Sequence, residues 1–128
     1  MRRGEVWTAA GGKDYAGKPR PVVIVQDDRF DATASITVCA FTTGDTEAPL
    51  IRLLVEPTEG NELRLASRLM VDKITTVSKS KLGEKIGRLD DQTIDRLNRA
   101  ILVFWALQCL HVRIKHGETS RSIHAGLH

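Results

Sequence analysis

A small barrel or strongly bent sheet of short strands, followed by one long C-terminal helix, is the fold this sequence predicts. Three observations carry that expectation. Short β-prone runs separated by turn residues fill the first two thirds of the chain, too closely spaced for βαβ units. From Asp90 onward an apolar stripe at helical spacing takes over. The length of 128 residues, with 41% apolar and 27% charged content, suits one domain with a modest core.

The first run, EVWTA at 5–9, is short and β-prone. PVVIVQ at 21–26 is a continuous β-branched run introduced by a proline, the pattern of a strand buried on both faces or crossing a barrel. SITVCAF at 35–41, LIRLLVE at 50–56, SRLMV at 67–71, ITTV at 74–77 and KIGRL at 85–89 complete the set. Two connections are long for a domain of this size. AAGGKDYAGKPR is glycine-rich and basic, so its backbone can approach a ligand closely. TTGDTEAP at 42–49 is rich in hydroxyls, and a third stretch, EPTEGNELRLA, leads into the SRLMV run.

The helix opens at Asp90 or Asp91, where a carboxylate suits the N-cap, with Leu89 and Ile94 spaced as a hydrophobic staple. Ile94, Leu97 and Ile101 form one apolar stripe. From Ala100 to Leu110 only Gln108 is polar, and a helix apolar all round needs cover on more than one side. A small barrel supplies one side, so a homodimer is expected. The domain is placed at residues 1–110, and 111–128, where the periodicity is lost, is expected to form a tail.

Composition removes several classes of function. No apolar run approaches the roughly 18 residues of a membrane span, and MRRGEVWTAA develops no apolar core of a secretory signal, so the cytoplasm is the expected compartment. Cys39 and Cys109 lack CxxC spacing and are read as buried small hydrophobes. His111, His116, His124 and His128 all lie in or beside the tail, at spacings that do not suit a metal, and no P-loop or HExxH is present. The net charge of +3 is unevenly spread. Residues 1–25 and 61–88 are net positive, and residues 26–60 are acidic. If the two basic blocks meet, they form a face that attracts phosphates.

The basic loop runs through Lys18 and Pro19 into Arg20 and Pro21. The two prolines stiffen the backbone around Arg20, which presents its guanidinium at the mouth of the sheet. On the residues alone, Arg20 is either a ligand for an anion or the partner of a carboxylate at a strand start. Lys13, Tyr15 and Lys18 are either nucleic-acid contacts, Tyr15 by stacking, or plain solvated loop residues.

RRGEVWTA, the glycine-rich loop, KPRPVVIVQDDRFD, VCAFTTG and SRLMVDKITTVSKSKLGEKIGRL, in that order before a terminal helix, resemble the MazF/PemK toxins of bacterial toxin–antitoxin pairs. The resemblance runs from about Arg2 to about Leu110. It implies an SH3-like barrel of CcdB/PemK type that dimerises, cuts single-stranded RNA at specific sequences without a metal or cofactor, and is held in check by a MazE-like antitoxin. The positions that match its motifs imply catalytic roles for Arg20 and Thr42, with Thr43 and Ser67 among the RNA contacts. Two positions depart from the family pattern: Tyr15 stands where an acidic residue is common, and Glu62 follows Asn61 where Asn-Gly is common. Glu5 is a further candidate base, against its reading as a strand carboxylate paired with Arg2, Arg3 or Lys13. The rival readings are a CcdB-like toxin that binds DNA gyrase and an RNA-binding barrel without catalysis.

Overall fold

The chain forms β1 (Glu5–Ala9), β2 (Arg20–Ile24), β3 (Ser35–Thr42), β4 (Arg52–Val55), β5 (Ser67–Met70), β6 (Thr75–Ser78), β7 (Leu82–Arg88) and α1 (Asp91–His124). The computed structural model describes residues 1–10, 19–43 and 51–124, with side chains as far as Leu110. All strand pairings are antiparallel, in the order β4-β5-β3-β2-β1-β7, and β6 pairs with β3 outside that path.

β3 organises the sheet. One of its edges pairs with β2, and the other is shared: Ser35–Val38 face β6, and Phe41 and Thr42 face β5. A single 3₁₀ turn at Val71–Lys73 separates β5 from β6, so one kinked strand follows the whole of β3. The kink turns β4 and β5 away from the plane of the other strands and curls the sheet into a barrel. On the far side, Arg88 N donates to Gly60 O at 2.8 Å, which holds β7 against the β4–β5 connection. Gly87 permits this approach, because a Cβ there would lie 2.5 Å from the Gly60 oxygen.

The period-two alternation of the strands sorts apolar side chains to two faces. The main core gathers Val6, Val23, Cys39, Phe41, Leu69 and Leu89 under α1, which adds Ile94, Leu97 and Phe104. A smaller cluster on the opposite face joins Val22, Ile24, Ile36, Val38 and Leu82, with Trp7 and Val77 packed against it. This explains the uninterrupted apolar run of β2, whose valines and isoleucine are buried on both sides. Each such burial is worth about 1.5–3 kcal/mol.

Asp90 caps α1, its Oδ1 accepting from Thr93 N at 2.9 Å, and its hydrogen bonds with Thr93, helped by the nearby Arg96 charge, lower its pKa. Leu89 is fully buried and Ile94 packs on the core, as a staple requires. Helix contact with the barrel ends near Phe104. Beyond it Trp105, Leu107 and Leu110 project, with Trp105 60% exposed. Cys39 is buried as expected, but Cys109 is exposed, because it lies on this projecting part. The helix also continues to His124, past the Leu110 boundary drawn from the sequence. No proline interrupts that stretch, so its backbone bonds can propagate.

Candidate active site

Arg20 opens β2 and Thr42 closes β3. The ladder between these strands pairs Ile24 with Val38 and Val22 with Ala40. Two residues further along both strands the same register brings Arg20 opposite Thr42, on the same face. Each is also anchored on its outer side, Arg20 opposite Ala9 of β1 and Thr42 opposite Arg68 of β5. Positions far apart in sequence therefore share one sheet end through backbone pairing, and both side chains remain half-exposed.

Beside Arg20 lies a concavity of about 220 Å³. Its floor is apolar, from Val22, Val38, Ala40 and Met70, and its rim carries Arg20, Lys73 and Lys81. Among the described residues lining it there is no carboxylate. The two basic blocks of the sequence do meet here, Arg20 from the first and Lys73 and Lys81 from the second. Asp27 and Asp28 sit beyond the opposite end of β2, where Asp28 takes a hydrogen bond from Arg3 N at 2.8 Å. A cation rim over an apolar floor suits a phosphate held against a base or other flat apolar group.

Lys73 stands on the Val71–Lys73 turn, and the neighbouring Asp72 is tied to Arg52 of β4 at 3.1 Å. Both partners of this ion pair are largely buried, so the turn is held in place. In the sequence Lys73 and Lys81 are distinguished only as part of the charge of the second basic block. The signal that could have singled them out is their position just before and just after a short strand that pairs with β3.

Glu5 is not poised as a base. Its carboxylate accepts from Arg2 N at 2.8 Å and Trp7 Nε1 at 3.0 Å and pairs with Lys85 Nζ at 3.1 Å. Burial pushes its pKa up, but these donors outweigh burial and hold it down at about 2. Cys39, buried and near Asp72, is pushed up to about 12 and is inert as a nucleophile.

The remaining sequence-derived candidates separate. Thr43 and Ser67 alternate to the other face of the sheet from Arg20 and Thr42 and line a second cavity, and Ser67 donates its hydroxyl to Leu65 O at 3.0 Å. Lys13, Tyr15 and Lys18 lie outside the described residues. Among the described residues no three His, Cys, Asp or Glu side chains gather as a metal site, and no helix is long and apolar enough to cross a membrane.

Residues 2–105 match the family model described as the PemK-like, MazF-like toxin of type II toxin–antitoxin systems. The chain belongs to this toxin family. It is 57% identical over 104 residues to the "Probable endoribonuclease MazF" of Mycolicibacterium smegmatis, an alignment covering 81% of this chain and 95% of the relative. With "Endoribonuclease EndoA" of Bacillus subtilis it shares 30% identity over 114 residues, covering 84% and 96%. Among solved structures, the "Mycobacterium tuberculosis toxin MazF-mt6" superposes with a TM-score of 0.64 at 26% identity, covering 76% of this chain and 91% of that one. An "Endoribonuclease in complex with its cognate antitoxin from Mycobacterial species" superposes with a TM-score of 0.69 at 24% identity, covering 84% and 96%, and shows the same fold. The relatives are named as endoribonucleases, so neither the gyrase-binding nor the non-catalytic reading of this PemK/MazF toxin is favoured.

Proposed function

We infer that this toxin is a metal-independent endoribonuclease that cuts single-stranded RNA, with Arg20 and Thr42 as its catalytic residues. The observation that carries the reading is the shared register of these two side chains at one sheet end, beside the cation-rimmed concavity. RNA brings its own nucleophile. The 2′-oxygen forms a bond to the adjacent phosphorus as its proton leaves to solvent, and the bond from phosphorus to the 5′-oxygen breaks. The products are a 2′,3′-cyclic phosphate and a 5′-hydroxyl, which takes up a proton. The chain must stabilise charge on the nonbridging oxygens, and a planar guanidinium does so with two parallel hydrogen bonds that strengthen as that charge builds. Thr42 supplies a further donor at the same phosphorus or orients the leaving oxygen.

The same surface fits an acidic segment of a cognate antitoxin, which would compete with RNA for the Arg20, Lys73 and Lys81 cations. The similar mycobacterial endoribonuclease solved with its antitoxin supports such a partner. The projecting apolar part of α1 supports a homodimer. Cytoplasmic action follows from the substrate.

The test is incubation of the purified protein with a long single-stranded RNA and with the equivalent DNA, in excess chelator. Expected are discrete RNA fragments with cyclic phosphate ends by mass spectrometry and intact DNA. Cleavage that appears only when Mg²⁺ is restored would overturn the mechanism.

A further inference from the structure

The barrel does not end flush with its core. On β1, β2, β3 and β5 the inward-facing series that includes Val6, Val23, Phe41 and Leu69 continues one layer out to Thr8, Pro21, Thr43 and Ser67. This outer layer is small and mostly polar, and it opens into a cavity of about 710 Å³. Because neighbouring residues on a strand point to opposite faces, the rim of that mouth is the segment that carries Arg20 and Thr42. The catalytic pair stands on the outer side of the rim, and Pro21 and Thr43 stand on the inner side.

The far wall is the connection between β4 and β5, and Asn61 fastens it. Its buried Oδ1 accepts from Thr58 N at 2.9 Å and Leu63 N at 3.0 Å, and its Nδ2 donates to Glu56 O at 2.9 Å. Leu63 packs on the core and lines the cavity together with Glu62, Arg64 and Leu65, and Leu65 is 64% exposed. Glu62 holds a left-handed backbone at φ 55°. That conformation costs a residue with a side chain about 1–2 kcal/mol, and glycine almost nothing. A strained residue kept on the wall of a cavity, in a loop otherwise well satisfied, points to a use for its side chain.

We propose that this mouth is a nucleobase subsite, which takes the base of a nucleotide flanking the cleaved linkage. The inference rests on the nuclease reading of Arg20 and Thr42. A strand of RNA with its scissile phosphate at those residues has only the rim to cross before a neighbouring base enters the mouth. There the Glu62 carboxylate offers acceptors and no donor. It therefore favours a base edge with two adjacent donors, as guanine presents at N1 and its 2-amino group. Uracil is disfavoured, because its single ring N–H lies between two carbonyls. Leu65 packs against the face of the base, and Arg64 takes the next phosphate.

The experiment uses the full chain and its Glu62→Gln and Arg64→Ala variants, whose altered side chains are exposed. A random single-stranded RNA pool is cut, and the fragments with 5′-hydroxyl ends are sequenced. Wild type is expected to prefer guanine over uracil at one flanking position. Glu62→Gln should reduce that preference about tenfold, the size expected for losing one charge-assisted bond, and leave other positions unchanged. In parallel, binding of a fully 2′-O-methylated random pool, which cannot be cut, is followed by fluorescence anisotropy. Arg64→Ala should weaken it several-fold. Unchanged base preference and unchanged binding in the two variants would overturn the subsite. If wild type cuts nothing, the nuclease reading fails, and the binding series still decides the subsite: equal affinity across all three proteins rejects it.

Discussion

Lys85 reaches diagonally across the β1–β7 ladder to Glu5, Nζ to Oε2 at 3.1 Å, although the register places Lys85 opposite Trp7. The Trp7 indole donates to the other carboxylate oxygen at 3.0 Å, so one buried acid gathers two strands and a ring. The folded-state pKa of Glu5, about 2, lies below its ordinary value of 4.5. A depressed carboxyl pKa adds stability that is present above the unfolded value and lost as pH falls through the folded one. The pH window is therefore about 4.5 down to about 2. Urea unfolding of Glu5→Gln at pH 7 should show a loss on the order of 2–3 kcal/mol. The difference from wild type should shrink below pH 4. Cleavage between pH 6 and 8 should keep its wild-type pH profile, because Glu5 is already ionised there. A profile that loses its acidic limb in this variant would restore Glu5 as the base.

Arg20→Ala should lower the cleavage rate by about 10²–10³-fold, the cost of removing a donor from a developing oxyanion. Arg20→Lys should recover only a small part, since an ammonium lacks the planar fork. Thr42→Val, nearly the same shape without the hydroxyl donor, should fall between wild type and Arg20→Ala. Single-turnover kinetics on a defined RNA, with circular dichroism to confirm folding, separates these. Equal rates for wild type and Arg20→Ala would remove Arg20 from the reaction.

Much of this architecture was readable from local pattern, and the exceptions share a cause. β1 begins and ends at the residues the EVWTA run indicates, and Asp90 caps the helix, because alternation and capping act over a few neighbouring residues. Flanking prolines mark Arg20 locally, whereas only resemblance to a family marks Thr42. Their proximity needs the β2–β3 register, which no local pattern states. The division of Thr42 from Thr43 is a matter of strand parity that a one-residue shift would reverse. Lys73 and Lys81 come to the rim of the concavity only because β6 pairs with β3. The exposure of Cys109 depends on where the helix leaves the barrel, a tertiary fact.

Gly4→Ala should destabilise the fold for two reasons. Gly4 sits at φ +88°, and an added Cβ would lie 2.6 Å from Ile94 Cδ1. Its backbone bridges Ile24 O and Leu89 N, at 2.8 and 2.9 Å, so the strand cannot simply move aside. A loss of about 2–3 kcal/mol is expected from strain and overpacking together. In Gly4→Ala with Ile94→Val the clash is relieved and the backbone cost remains, so the double variant should lose less than the two single losses added. Additive losses in urea would show that Ile94 does not limit the site.

The helix supplies the last prediction. Leu102 and Trp105 are 69% and 60% exposed, and Leu107 and Leu110 continue the surface. Phe104 packs edge to face with Trp105, ring centroids 6.0 Å apart, while also touching the core. The apolar patch is thus fixed rigidly to the barrel and can meet a second copy without much ordering cost. Leu102→Glu with Trp105→Glu removes apolar contacts that the single chain does not use and places four like charges near a two-fold interface. Light scattering at micromolar concentration should find a dimer for wild type and a monomer for the double variant. Circular dichroism of the variant should retain the strand signal. A monomeric wild type would leave this helix face without its expected partner, and a dimeric double variant would place the interface elsewhere on the barrel.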